Sequence, residues 1–393
     1  MMKNRLLKFL AGTAILAGVL YIAARTFGPG ILERQLNKIV DNRPFSISDE
    51  AAELHGSLRI MDWHADTLLW NRSLLDRADR GHVDLPRLRD GNMALQMFTT
   101  VTKTPRNMNV HANEANSDNI TLVSYLQGWP SDTHSSLLAR ALYQAEKLDS
   151  FIKKSEGGLM WVRTQSELQD FLEARETSSV PQPVAALLGT EGAHPLEGNI
   201  ANVDKMYAAG FRMVGLTHFF DNELGGSLHG VSKAGLTDFG KQVVRRLDEL
   251  QIIIDLAHAS EQSARDALAI TSRGVVVSHT GFRGACDTER NFSDELMKEI
   301  ATKGGLIAVG YWETAVCGTT PEAIAKAIAY GIELVGADHV ALGSDWDGAV
   351  AAMPSDHIPA ITAALLEQGV SAKDIRLVMG ESSLNFLHAW LPK

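Results

Sequence analysis

From residue 59 onward the chain alternates between two hydrophobic periods. Short apolar runs rich in β-branched residues are followed by turn residues, and then by longer stretches with apolar positions three and four apart. The short runs are "LRIMDWH" (58–64), "NMALQMFTTV" (92–101), "PVAALLGTE" (183–191), "FRMVGLTH" (211–218), "IIIDLAH" (252–258), "VVVSHT" (275–280), "GLIAVGY" (305–311) and "HVALGSD" (339–345). Between most of them lie helical patterns such as "DFGKQVVRRLDELQ", "SEQSARDALAITS" and "PEAIAKAIAYGIELVG". Ser260, Ser293 and Pro321 stand where helix starts require a capping residue or a first-turn proline. Strand–helix alternation implies parallel strands, and eight units imply a (β/α)8 TIM-type barrel over 59–393. A doubly wound open sheet is the alternative. Residues 102–182 interrupt the alternation. They read as an insertion over the barrel mouth, with a loop, one or two helices and a short hairpin near "GLMWVRT".

The N-terminus follows another pattern. Lys3, Arg5 and Lys8 precede an uncharged apolar run from Phe9 to Ala24. That order is the one of an export signal, and the run is short for a spanning helix of roughly 20 residues. Residues 1–26 are therefore either a retained membrane anchor or a cleaved signal peptide, and the body would face the periplasm. "GPG" at 28–30 is expected to break the helix, and residues 27–58 read as a connector. Export would carry Cys286 and Cys317 into an oxidising compartment, where a bridge between them persists.

Composition narrows the classes. With 45% hydrophobic residues and 21% charged, the chain can build a large core. A net charge of -10 without a basic block argues against nucleic acid as a partner. "GTEGAH" and "GGSLHG" lack the spacing of a phosphate-binding glycine loop.

In a barrel of this kind the active site lies at the C-terminal ends of the strands. The first run ends in His64 and Asp66, the third in Glu191, the fourth in His218, the fifth in His258, the sixth in His279 and the eighth in Asp345. One strand-end histidine is ordinarily structural. Several beside an HxD pair and a glutamate form a donor set suited to zinc. His64, Asp66, Glu191, His258 and His279 overfill one ion but serve two if Glu191 bridges. Two such ions about 3.5–4 Å apart share a hydroxide and polarise a carbonyl. Asp345, facing that water, would shuttle a proton. Asp62 is either the partner that orients His64 or a structural carboxylate lower in the barrel. Asp255 reads as a strand–helix ion-pair partner, and Asp347 points elsewhere by alternation. His194 and His229 lie in loops near the mouth.

These residues carry a resemblance. "DWHAD" at 62–66, "GTEGAH" at 189–194, "GLTHFFDNELGGS" at 215–227, "IDLAHAS" at 254–260, "VVSHTGFR" at 276–283, "TERNFSDE" at 288–295 and "LGSDWDG" at 342–348 resemble the membrane (renal) dipeptidase family of zinc peptidases. The resemblance implies two zinc ions, one on His64 and Asp66, the other on His258 and His279, with Glu191 shared. It implies that His218 steadies the substrate carbonyl oxygen, that Arg290 holds the C-terminal carboxylate of a dipeptide, and that Asp345 protonates the leaving amine. It further implies a disulfide between Cys286 and Cys317, tolerance of a C-terminal D-residue, and in some members a homodimer. Trp63 and Ala65 depart from the family's usual Gly and Asn, which leaves substrate preference open. The alternative on the same ligands is another binuclear-zinc amidohydrolase, a lactonase or an N-acyl amino acid amidase. A binding protein without turnover is the rival of another class.

Overall fold

The computed structural model describes residues 2–178 and 182–393, apart from the side chains of residues 2–8, 11, 14, 15 and 17. Eight parallel strands close on themselves: β1 Ile60–Ala65, β2 Met93–Val101, β3 Val184–Glu191, β4 Met213–Gly215, β5 Ile253–Asp255, β6 Val276–Thr280, β7 Leu306–Val309 and β8 Val340–Leu342. Closure comes from β2 and β3, paired in register from Leu95 with Ala185 to Val101 with Glu191. Seven of the eight fall within the runs expected from the sequence, and β1 overruns its own by one residue, Ala65. All are wholly buried, which is why they read as near-continuous apolar runs. β4 and β5 are shorter than their apolar runs, because the chain leaves the ladder before His218 and His258.

The helices form from local signals. Ser260 and Ser293 accept hydrogen bonds from the third amide of their helices, and Pro321 opens its helix behind a Thr320 cap. The helix Asp238–Glu249 buries Val243, Val244 and Leu247 on one stripe and leaves its charges outside. A second buried cluster around Met61, Trp63, Met97 and Leu187 packs on the C-terminal helix Ser382–Trp390. The Trp63 indole donates to Ser383 there.

The insertion departs from expectation. Among the described residues there is no hairpin near residue 160. Leu159–Trp161 is one strand, parallel to the start of β3. β3 thus gives its lower edge to this strand and its upper edge to β4. The earlier part of the insertion does reach the mouth, where Asn113 and Val110 bond to His229.

The N-terminal helix also differs. It runs from Met2 to Leu36 straight through Pro29. A proline removes one helical N–H, but packing can hold the helix together. Here Gly28 lies against Leu126 of the helix Asn119–Gln127. Among the described residues no helix is long and apolar enough to cross a membrane. The expected connector is ordered as well. Lys38–Ile39 pairs in parallel with Ala351–Ala352, just beyond β8.

Candidate metal centre

The strand ends bring the titratable residues together around one carboxylate. Glu191 ends β3, and its Oε1 lies 3.2 Å from His258 Nε2, 3.3 Å from His279 Nε2 and 3.6 Å from His64 Nε2. Its Oε2 lies 3.1 Å from His218 Nε2. Asp66 Oδ1 stands 3.5 Å from His64 Nε2 and accepts a 2.6 Å bond from Thr99. Donor atoms of His64, Glu191, His279 and Asp345 all fall within 4.8 Å of one another, as do those of Glu191, His218 and His258. Glu191 is common to both groups. The expected pairs are also near one another: His64 Nε2 lies 3.5 Å from Asp66 Oδ1, and the Nε2 atoms of His258 and His279 lie 2.8 Å apart, with His218 added on the His258 side.

The backbone is forced to present two of these side chains. His258 and Asp345 adopt φ of 63° and 61°, the left-handed region. Each such non-glycine residue costs on the order of 1–3 kcal/mol, and the surroundings must hold it there. For His258 they do so through its carbonyl, which accepts bonds from Leu228 N at 2.7 Å and Thr217 Oγ1 at 2.9 Å.

A hydroxyl sets the chemistry of two imidazoles. Ser278 donates to Asp255 Oδ2 at 2.6 Å. Its oxygen also lies 3.1 Å from His64 Nδ1 and 2.9 Å from His279 Nδ1. A hydroxyl has one hydrogen and two lone pairs. With the hydrogen on Asp255, both Nδ1 atoms must donate, which leaves Nε2 as the atom each ring can offer to a metal. Asp255 is therefore not the ion-pair partner expected. It accepts from Ser278 and from the amides of Ala257 and Ser278.

Asp62 does not touch the His64 ring. It accepts from the His64 amide, Gln96 and Ser344, and so ties β1 to β2 and to the end of β8. Asp347 is fully buried and paired with Arg72, which alternation alone did not predict. His194 and His229 are buried beside the centre: the His229 ring lies 5.2 Å from that of His258, and Gly192 leaves room for His194 next to His218. Arg290, 3% exposed, donates to the His279 carbonyl at 2.7 Å and lies over the Trp312 ring.

Electrostatics shows what the cluster lacks. Burial pushes Glu191 well above the ordinary carboxylate range, and Asp66 adds to the shift. Burial takes Asp345 up to about 8, against the pull of His64. Burial alone would strip the second proton from His64, but Asp66 and Glu191 hold it to about 10, so a cation between these groups would take the place of that proton. Burial keeps His218, His258 and His279 well below the usual imidazole value, which is the neutral, metal-binding form.

Carboxylates crowded this way need a cation. His64 Nε2 is buried without a hydrogen-bond partner, and the Nε2 atoms of His258 and His279 face each other at 2.8 Å. Lone pairs aimed at one space, beside shared carboxylate oxygens, are a donor set for divalent metal. The residues fit the group.

Residues 48–390 match the family described as membrane dipeptidase (peptidase family M19). The chain belongs to the membrane dipeptidase family. Membrane dipeptidase relatives include an uncharacterized dipeptidase of Schizosaccharomyces pombe, 25% identical over 68% of this chain and 61% of its own length. Another is the dipeptidase verJ of Clonostachys rogersoniana, 25% identical over 65% of this chain and 66% of its own. The chain thus spans about two thirds or less of these relatives. Solved structures share the fold. A dipeptidase described as an M19 metallopeptidase superposes with a TM-score of 0.69 at 20% identity, covering 86% of this chain and all of its own. The probable dipeptidase PvdM of Pseudomonas aeruginosa gives 0.70 at 19% identity, covering 86% and 97%. A Rhodobacter sphaeroides metallopeptidase, liganded with a phosphinate mimic of L-Ala-D-Ala, gives 0.68 at 20%, covering 85% and 99%.

A disulfide joins Cys286 to Cys317, as the resemblance implied. Sequence reasoning missed Ser278, Asp255 and Thr99 as partners of the metal-type side chains. The one available signal was Ser278 beside His279 in "VVVSH", too common a pair to single out.

Proposed function

We propose that this chain is a metal-dependent dipeptidase that carries two zinc ions, shares them through Glu191, and accepts dipeptides including those with a C-terminal D-residue. The observation that carries the reading is the convergence of four imidazoles on Glu191, with Asp345 and Arg290 beside them. Zinc suits a mixed imidazole and carboxylate set. His64, Asp66, Glu191, His258 and His279 would hold the pair. When bound, the metal supplies an acidified water and polarises the scissile carbonyl.

The chain's own residues do the rest. His218 donates from Nε2 to the carbonyl oxygen as negative charge grows there. Asp345 takes a proton from the attacking water and passes it to the amine nitrogen as the C–N bond breaks. Arg290, pinned by the His279 carbonyl, pairs through its remaining N–H groups with the substrate's terminal carboxylate. That contact measures the distance from the scissile bond to the chain end, and so limits the enzyme to dipeptides. Export of the barrel to the periplasm, on a retained or cleaved N-terminal segment, fits both the Cys286–Cys317 bridge and the basic-then-apolar start.

The test is metal content measured alongside a panel of L,L and L,D dipeptides. Expected are two zinc ions per chain and turnover that Asp345→Asn lowers by about 10²–10⁴-fold with metal retained. Two bound ions with no dipeptide hydrolysis would overturn the reading. Turnover of lactones or N-acyl amino acids instead would favour the amidohydrolase alternative.

A further inference from the structure

The loop that follows β8 is unusually strained. Asp345, Asp347 and Ala349 all have left-handed backbones, with φ of 61°, 63° and 63°. None is glycine, so something outside the loop must impose this shape. Its next contacts lead out of the barrel to the N-terminal segment. Asn37 Oδ1 accepts from the Ala349 amide at 2.9 Å. Lys38 N donates to Val350 O at 3.2 Å, and Val40 N to Ala352 O at 2.9 Å.

A buried charge relay runs in parallel. Glu33, on the N-terminal helix, is 0% exposed. It accepts from Arg72 Nε at 2.6 Å and from Arg80 Nε at 2.7 Å. Arg72 in turn is paired with Asp347. Asp347 also accepts from Thr67 Oγ1 at 2.7 Å, next to Asp66. The Asp66 amide donates to the Trp346 carbonyl at 2.8 Å. The relay therefore joins the two loops that carry Asp66 and Asp345. Residues 33–40 lie before the part of the chain that matches the family, which begins at residue 48.

We propose that the segment from Glu33 to Val40 is a positioning element of the active site: Glu33, through Arg72 and Asp347, and Asn37, through Ala349, hold Asp345 at the reacting centre. The N-terminal arm is then part of the working site rather than a tether. A buried carboxylate facing two guanidinium groups fits this role better than anchoring does. Anchoring requires no contact beyond β8, and a surface ion pair such as Arg34 with Asp79 would suffice for docking the helix.

The test uses the full chain loaded with zinc and three variants. Glu33→Gln removes the charge and keeps the shape. Asn37→Ala removes one hydrogen bond and endangers folding least. Arg34→Ala, on the exposed side of the same helix, is the control. Expected is a fall in kcat of about 10- to 100-fold for Glu33→Gln, a smaller fall for Asn37→Ala, and KM within about twofold for both, because a small displacement of a catalytic group costs turnover before binding. Arg34→Ala should match the parent. Amide hydrogen exchange read on the same proteins should speed up at residues 345–352 and 66–70. The turnover arm rests on the dipeptidase reading, whereas the exchange arm does not. If the parent hydrolyses no dipeptide, that reading fails and exchange alone decides the arm's role. Unchanged kcat in both folded variants, or faster exchange confined to residues 2–40, would overturn the proposal.

Discussion

Ser278 gives its only hydroxyl hydrogen to Asp255, and this one bond sets the protonation of two histidines. With that hydrogen spent, His64 and His279 must each donate through Nδ1, and each turns its Nε2 toward Glu191. Ser278→Ala removes no metal-type side chain but frees both rings to rotate and change tautomer. The expected result is a 10- to 100-fold or so loss of zinc affinity. Competition titration with a chromogenic chelator measures it, and an affinity equal to the parent's would contradict the tautomer argument.

Arg290 is expected to act on the chain end of the substrate. Arg290→Ala should lower kcat/KM for a dipeptide by about 10²–10³-fold, since a charge-assisted pair is lost. It should leave the small rate on the matching dipeptide amide nearly untouched. A parallel comparison of free acid and amide substrates reads this directly. Equal losses on both would assign Arg290 to holding the site together through its bond to His279.

Metal removal should weaken the fold as well as stop turnover. Asp66, Glu191 and Asp345 are buried together, and burial raises the last two above their usual range. A divalent ion that binds only the folded chain adds about 3 kcal/mol when present at about a hundred times its dissociation constant. Urea unfolding with and without a chelator should show a loss of that size, restored by zinc. Identical midpoints would mean that the cluster is stable without a cation.

Stability should fall in mild acid because of His55. This residue lies outside the centre, 6% exposed, with its ring between Thr362 and the Gly91 carbonyl. Burial lowers it from 6.5 to about 4. The unfolded chain therefore binds the proton more readily. The stabilisation is whole above pH 6.5 and is lost as pH falls toward 4. Between pH 7 and pH 5 the loss is about 2 kcal/mol. His55→Asn should flatten that part of the profile in denaturant titrations, and an unaltered slope would assign the acid sensitivity to other groups.

The amino-acid sequence by itself determined the barrel and the chemistry at its mouth. Eight apolar runs, each matched by one strand, dictate parallel strands because both faces must be buried. Strand-end position alone then gathers His64, Glu191, His258, His279 and Asp345, since every C-terminal end of a barrel points to one mouth. Alternation also separated Asp66 from its neighbours, two residues from His64.

What only the tertiary structure decided involves partners far apart in the chain. Ser278 reaches His64 across 214 residues, and Glu33 acts on Asp347 through Arg72, 39 residues from Glu33 and 275 from Asp347. No local period encodes such pairs. Asp62 and Asp255 lie within strands and Asp347 in the loop after β8, and pattern alone cannot rank these three acids. Their roles follow from which donors the closed barrel brings within hydrogen-bond reach. The helix through Pro29 and the strand at Leu159–Trp161 have the same cause: packing against Leu126 and the free lower edge of β3 outweigh the local preference for a break and a turn.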